Sequence, residues 1–313
     1  MISREETPVA VSDLVLVTGA GGGVGGVSRI VLERLLAEGV PVRAMVRRDD
    51  QRAEELRGLG AEVVVGDLTR PLDVARALDG AGRMYFSMSV SPDYLLAATV
   101  VATVAQEHGQ LDGLVSISQM TVSQMTATST AESHQQRLHW LSDRVLTWSG
   151  LPVVHVRPTT FLDNPLFTTL AAHSIRRDGT LALPFGTGRT SPVAAADVGR
   201  VVATVLRDPA PHLGRVYELT GPRTLDMDGV AAEFGRALGV PVSYVDVPLA
   251  EWIAGTLSAA GLPPHAEQHI ATMAKLHHAN RYDRATRDVE LVTGDPAMTI
   301  EEFVAARRDF YLG

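Results

Sequence analysis

The chain has 313 residues, a formal net charge of -8 from 28 basic and 36 acidic side chains, 45% hydrophobic residues and no cysteine. That length supports a large core and the composition excludes the disordered class. The missing cysteines exclude disulfides, thiolate metal sites and cysteine nucleophiles, and the negative charge gives no general attraction to nucleic acid or an anionic membrane. The sequence has no apolar run of about 18 residues, and the start MISREETPVAVSD lacks the basic-then-apolar order of a secretory signal, so the expectation is a cytoplasmic protein with no membrane partner.

In chain order, the strand candidates are DLVLVTG, PVRAMVR, AEVVVGD, RMYFSMS, GLVSIS and LPVVHVR. Helical spacing separates them: Val24 to Glu38, closed by Gly39, then Asp93 to His108 and Ala131 to Trp148. Strands apolar on both faces alternating with helices predict a buried parallel sheet with right-handed crossovers, a doubly wound Rossmann-type α/β fold. From 158 to 192 several prolines and glycines suggest an irregular covering region. A helix capped by Asp197, the strand RVYELTG, the helix MDGVAAEFGRALG and the strand PVSYVDV follow. The expected organisation is a doubly wound domain over 1–157, with 192–220 returning to it, and a smaller α+β lobe over 158–191 and 221–313.

The first strand runs into TGAGGGVGG and then a helix, the context of a dinucleotide fingerprint. Gly19, Gly22 and Gly25 have the spacing for a tight turn, close backbone approach to a diphosphate, and helix packing. Thr18, Gly23 and Val24 complete that turn, and the helix start turns unpaired N–H groups toward the phosphates. A plain flexible loop is the alternative. Arg47 and Arg48 close the second strand where the 2′-phosphate of NADP would sit, and no carboxylate stands directly at the strand end. Asp49 and Asp50 leave NAD open, and two solvated arginines are the other reading. Asp67, beside Leu68, suits an adenine amino group or a turn. At the fourth strand's end Ser87 and Met88 should line the cofactor.

TGAGGGVGG, VRRDD, GDLT, SGLPVVHVRPTTFLDN, TSPVAAADVGRVVATVLRDP and YELTGP, in that order, resemble the NmrA-like family of atypical short-chain dehydrogenases, with quinone- and dye-reducing members. The resemblance implies a Rossmann domain that binds NADP(H) and a carboxyl-terminal lobe forming the substrate cleft. The Tyr-x-x-x-Lys pair of typical members is absent, because the sole lysine, Lys275, has no tyrosine four residues before it. His139 and Asp143, four residues apart in HWLSD, resemble the His-x-x-x-acid arrangement: the histidine would cycle a proton and Asp143 would orient it, unless the histidine merely packs. Ser118 would bond a substrate oxygen, with Gln119 and Met120 beside it. Pro158 and Thr159 are expected at the nicotinamide, and Phe161, Asn164 and Phe167, with Phe185 and Trp252, along an apolar substrate wall. His265 and His269 in HAEQH lack a third metal ligand and read as a solvated helical face, and GTGRTS reads as a turn.

The expected function is therefore an NADP(H)-dependent reductase of a carbonyl, quinone or conjugated aromatic molecule, monomeric or homodimeric. The alternatives are a cofactor sensor without turnover and a non-redox cyclase or isomerase. The arginine-rich, lysine-poor composition suggests a GC-rich bacterial genome.

Overall fold

The computed structural model describes residues 13–22 and 26–313. Gly23, Val24 and Gly25, three of the expected nucleotide contacts, lie outside the described residues, as does the amino-terminal stretch.

Strands β1 (Val15–Thr18), β2 (Val42–Val46), β3 (Glu62–Val65), β4 (Arg83–Phe86), β5 (Gly113–Ile117), β6 (Val153–Pro158) and β8 (Val216–Leu219) form one parallel sheet, ordered β3-β2-β1-β4-β5-β6-β8. β1 lies inside it, between β2 and β4, and all four of its residues are buried because both faces are covered. Val15 and Val17 join a core with α1 (Val27–Ala37), α2 (Gln51–Gly58) and α7 (Ala195–Arg207). Leu16 faces the opposite core with α3 (Pro71–Leu78), α4 (Tyr94–His108) and α5 (His134–Trp148). Burial on both faces is why these strands read as continuous apolar runs.

The region expected to be irregular is so only toward its ends. α6 (Thr169–Asp178) and β7 (Thr180–Leu183) occupy it, and β7 pairs in parallel with β9 (Ser243–Asp246). The breakers stand at the element ends: Pro165 precedes α6, Gly179 closes it in the left-handed conformation, and Pro184 follows β7. With α8 (Met227–Leu238), α9 (Leu249–Trp252), α12 (Ile300–Ala305) and α13 (Arg308–Leu312) they enclose a second core, to which α10 (Pro264–His278) contributes Ala274, while α11 (Asp288–Thr293) packs Val289 into the first. Asp197 is not the cap expected of it. α7 begins two residues earlier, capped by the Asp163 carboxylate accepting from Ala195 N at 2.8 Å, while Asp197 accepts from Met298 N and Arg200.

Candidate active site

The chain crosses from β3 at one edge to β4 beside β1, so the segments that leave β1 and β4 run to opposite faces of the sheet and open a crevice at their carboxyl ends. A cavity of about 450 Å³ fills it. One end is backbone. Gly19 has φ +75°, and a Cβ there would stand 2.9 Å from Ser87 O. Only glycine lets the ends of β1 and β4 approach this closely. Thr18 secures the contact: its hydroxyl donates to Ser87 O at 2.8 Å and accepts from Ser87 N at 2.9 Å. Fully buried, Thr18 does not reach the cavity and works as a positioning residue. Gly26 caps α1 at φ 57° with no side-chain bond, so the helix start is bare where it lines the cavity beside Gly22, Val27 and Ser28. That is an anion site in chemical terms, with open N–H groups at the positive end of a helix.

Beyond the glycines the expected cations and carboxylate stand together. Arg47 donates to Asp67 Oδ2 at 3.0 Å and remains largely exposed, and Arg48 is exposed. Asp67 is the turn carboxylate of its alternative reading. It accepts Thr69 N and Oγ1 at 2.9 and 2.8 Å, and the Thr69 N–H, with Arg47 a lesser influence, holds it below the usual carboxylate range. Leu68 packs against the core around α3 and α4 instead of reaching the cavity. The sequence reading missed Arg52, whose guanidinium lies 3.3 Å from where a Cβ of Gly22 would be, held by Asp50, the cap of α2. An arginine in the first turn of α2 carries no motif.

Toward the other end the cavity is walled by Ser87, Met88, Ser118, Gln119, His139, Pro158, Thr159, Phe161 and Asn164, all expected there. The expected His139–Asp143 partnership does not form. Asp143 is turned toward the strand ends, where it accepts from Ser118 Oγ at 3.1 Å and from Arg157 Nε at 3.0 Å, with His155 Nδ1 at 3.5 Å. Burial would raise its pKa, but His155 and Arg157 outweigh that and lower it. Ser118 thus spends its proton on Asp143 and can only accept from a ligand.

His139 sits between two glutamines, with Gln119 Nε2 2.8 Å from Nδ1 and Gln135 Nε2 2.8 Å from Nε2. Gln135 Oε1 already takes Ser91 N at 3.1 Å and His265 Nε2 at 2.7 Å, which fixes that amide and makes His139 Nε2 an acceptor. The ring proton is therefore on Nδ1, and Gln119 meets it with its carbonyl oxygen after turning its amide end for end. Burial pushes His139 down to about 4, only partly offset by the charge of Asp143, so the ring is neutral near pH 7 and has no free nitrogen. Tyr94, missed in the sequence, packs edge-on against it at 4.3 Å and donates to Ile117 O at 2.7 Å.

The apolar wall is not the expected one. Phe167, Phe185 and Trp252 are buried in the second core, and Met120 is buried against Leu276 and Tyr282, outside the cavity. The wall is one face of α10 and the loop before it: Leu262, Pro263, Ala266, Ile270 and Met273. HAEQH belongs to this face and is not a solvated one. His269 is buried with Nδ1 2.8 Å from Ser133 Oγ, and burial lowers its pKa to about 3. No group of three or more His, Asp or Glu among the described residues is placed to hold a metal ion, and no helix is long and apolar enough to cross a membrane.

Residues 22–209 match a family described as NAD(P)H-binding. Over 94% of its length the chain is 30% identical to 97% of an NAD(P)H azoreductase from Xenophilus azovorans. It is 28% identical, over 95% of its length and 99% of the relative, to a (4-alkanoyl-5-oxo-2,5-dihydrofuran-3-yl)methyl phosphate reductase from Streptomyces griseus. Its fold is shared with an NADPH-dependent quinone oxidoreductase from Escherichia coli in complex with NADPH, at TM-score 0.78 and 23% identity over 94% of this chain and 99% of the other.

Proposed function

The chain belongs to the NAD(P)H-binding, NmrA-like family of atypical short-chain reductases and is an NAD(P)H-dependent oxidoreductase, and from that premise we propose that it uses NADPH to reduce a planar, conjugated aromatic acceptor such as a quinone or an azo compound. The observation that carries this reading is the continuity of the cavity, which runs from the bare start of α1 to the apolar face of α10. A nicotinamide cofactor held in this cavity would supply the hydride for such a reduction.

The residues present fit that cofactor. Gly19, Gly22 and Gly26 with the α1 N–H groups take the diphosphate, and Arg47, Arg48 and Arg52 take a 2′-phosphate. Ser87, Met88, Pro158 and Thr159 take the ring end. In support, Thr159 Oγ1 is buried without a partner among the described residues, a hydroxyl left for a ligand. The acceptor lies among Phe161, Asn164, Gln119 and the α10 face. His139 shapes the wall and holds Gln119 in place. As a neutral ring with both nitrogens engaged, it does not deliver the proton that must follow the hydride. In this reading residues 1–157 and 192–220 carry the nucleotide cradle, with Pro158 and Thr159 reaching its ring end from the adjoining segment, and 158–191 and 221–313 otherwise complete the acceptor side, a division supported by the separate second core.

The test is NADPH consumption with 1,4-naphthoquinone, an azo dye and a triphenylmethane dye. Turnover with at least one is expected. NADPH that binds but is consumed by none of them overturns the acceptor class.

A further inference from the structure

α10 lines the cavity with one face, and the next residue along it, His277, is buried beneath another ring. His277 stacks on Phe185 at 4.0 Å and 6°, and Tyr282 stacks on its other side at 3.7 Å and 9°. The middle ring is pinned by Met273 O at 2.9 Å and by Thr160 Oγ1 at 3.2 Å, so the stack is fastened to α10 and to the segment that follows β6. Its outer member, Tyr282, is 2% exposed and stands in the cavity wall. The hydroxyl of this tyrosine has no hydrogen-bond partner among the described residues. Its neighbour Arg281 does not supply one, because that guanidinium is engaged by Gln124 and Glu132.

A buried hydroxyl without a partner is costly, and a rigid stack allows it little freedom to find one. We propose that Tyr282 is the hydrogen-bond donor that holds the oxygen or nitrogen atom of the aromatic acceptor, a specificity-determining residue of the cavity. The proposal rests on the reading of the cavity as an acceptor site. Ser118 and His139 cannot take this role, the first having given its proton to Asp143 and the second lying between Gln119 and Gln135. Burial pushes the phenol well above its ordinary value and keeps it protonated, so it remains a donor throughout the working pH range. A ligand with an acceptor atom at the edge of a flat ring system satisfies both the hydroxyl and the apolar α10 face.

Tyr282→Phe keeps the ring stack and removes only the hydroxyl. Binding of 1,4-naphthoquinone and of naphthalene, matched in shape but without oxygen, is measured by calorimetry on the full chain, with and without NADP⁺. The wild type is expected to prefer the quinone by roughly tenfold, the scale of one hydrogen bond. Tyr282→Phe is expected to lose that preference, keep its affinity for naphthalene and melt no lower than the wild type. A preference retained in the variant, or absent from the wild type, overturns the proposal. So does a variant that melts well below the wild type, because the hydroxyl would then be bonded within the fold. NADPH oxidation plays no part in this readout, so failure to turn over any acceptor counts against the reductase reading while the probe preference still judges Tyr282.

Discussion

The two ends of the cavity are built by different means. At the glycine end the recognising groups are main-chain N–H groups, and the side chains around them form exposed ion pairs, such as Arg47 with Asp67 and Arg52 with Asp50. At the α10 end the groups are buried side chains fixed by one another: Gln119, His139 and Gln135, then Ser133 with His269, then Phe185, His277 and Tyr282. Backbone recognition leaves folding stability largely independent of the neighbouring side chains. Side-chain recognition makes the pocket and the fold the same object, so a change in one is felt in the other.

Three measurements would break or sharpen this contrast. The largest effect belongs to Asp143, buried among Ser118, Arg157 and His155. Asp143→Asn leaves the Arg157 charge without its buried counter-ion and should cost about 4 kcal/mol in chemical denaturation. A loss below about 1 kcal/mol would mean that the network is solvated and that the contrast fails at its strongest point.

The second effect is a dependence on pH. Burial lowers His139 to about 4 and His269 and His277 to about 3, all from an ordinary value of 6.5. The unfolded chain therefore binds more protons than the folded one below about pH 6.5. Stability should be complete above that pH and fall as the pH drops toward 4, by up to roughly 1.4 kcal/mol per pH unit for each histidine. A melting temperature that stays flat from pH 6.5 to about 4.5 would show these rings to be hydrated.

The smallest effect belongs to the other end. Arg47→Ala should change stability by less than about 0.5 kcal/mol, since its ion pair is exposed. It should weaken NADPH roughly tenfold and leave NADH unaffected, because only the former carries the 2′-phosphate. Equal losses for both nucleotides would place the 2′-phosphate elsewhere, with Arg52 the next residue to replace.

The same contrast governs what could be read from the sequence. The glycine turn is contiguous, follows a strand and opens a helix, so a local reading locates it, and the parallel sheet follows from the βα alternation. The α10 end is assembled from segments far apart in the chain. His139 and Asp143 do share a helix at i and i+4, but the direction of the carboxylate is decided by Arg157 and His155 on β6, which helical spacing cannot show. Phe167 and Phe185 were large and apolar in the right part of the chain, a description that fits core and pocket equally. The periodicity of 262, 266, 270 and 273 was present in LPPHAEQHIATM, yet the polar residues between them suggested a face toward water. The prolines and glycines of 158–192 misled for a related reason, since a breaker at an element's boundary and one within it look alike in sequence.

The position of α10 in the chain also bears on synthesis. The large sheet is complete once β8 has been made, whereas the helix that closes the cavity comes after β9 and α9. During translation the strands of the sheet can therefore pair while the crevice they border is still open to solvent, and the wall that encloses it is added afterwards.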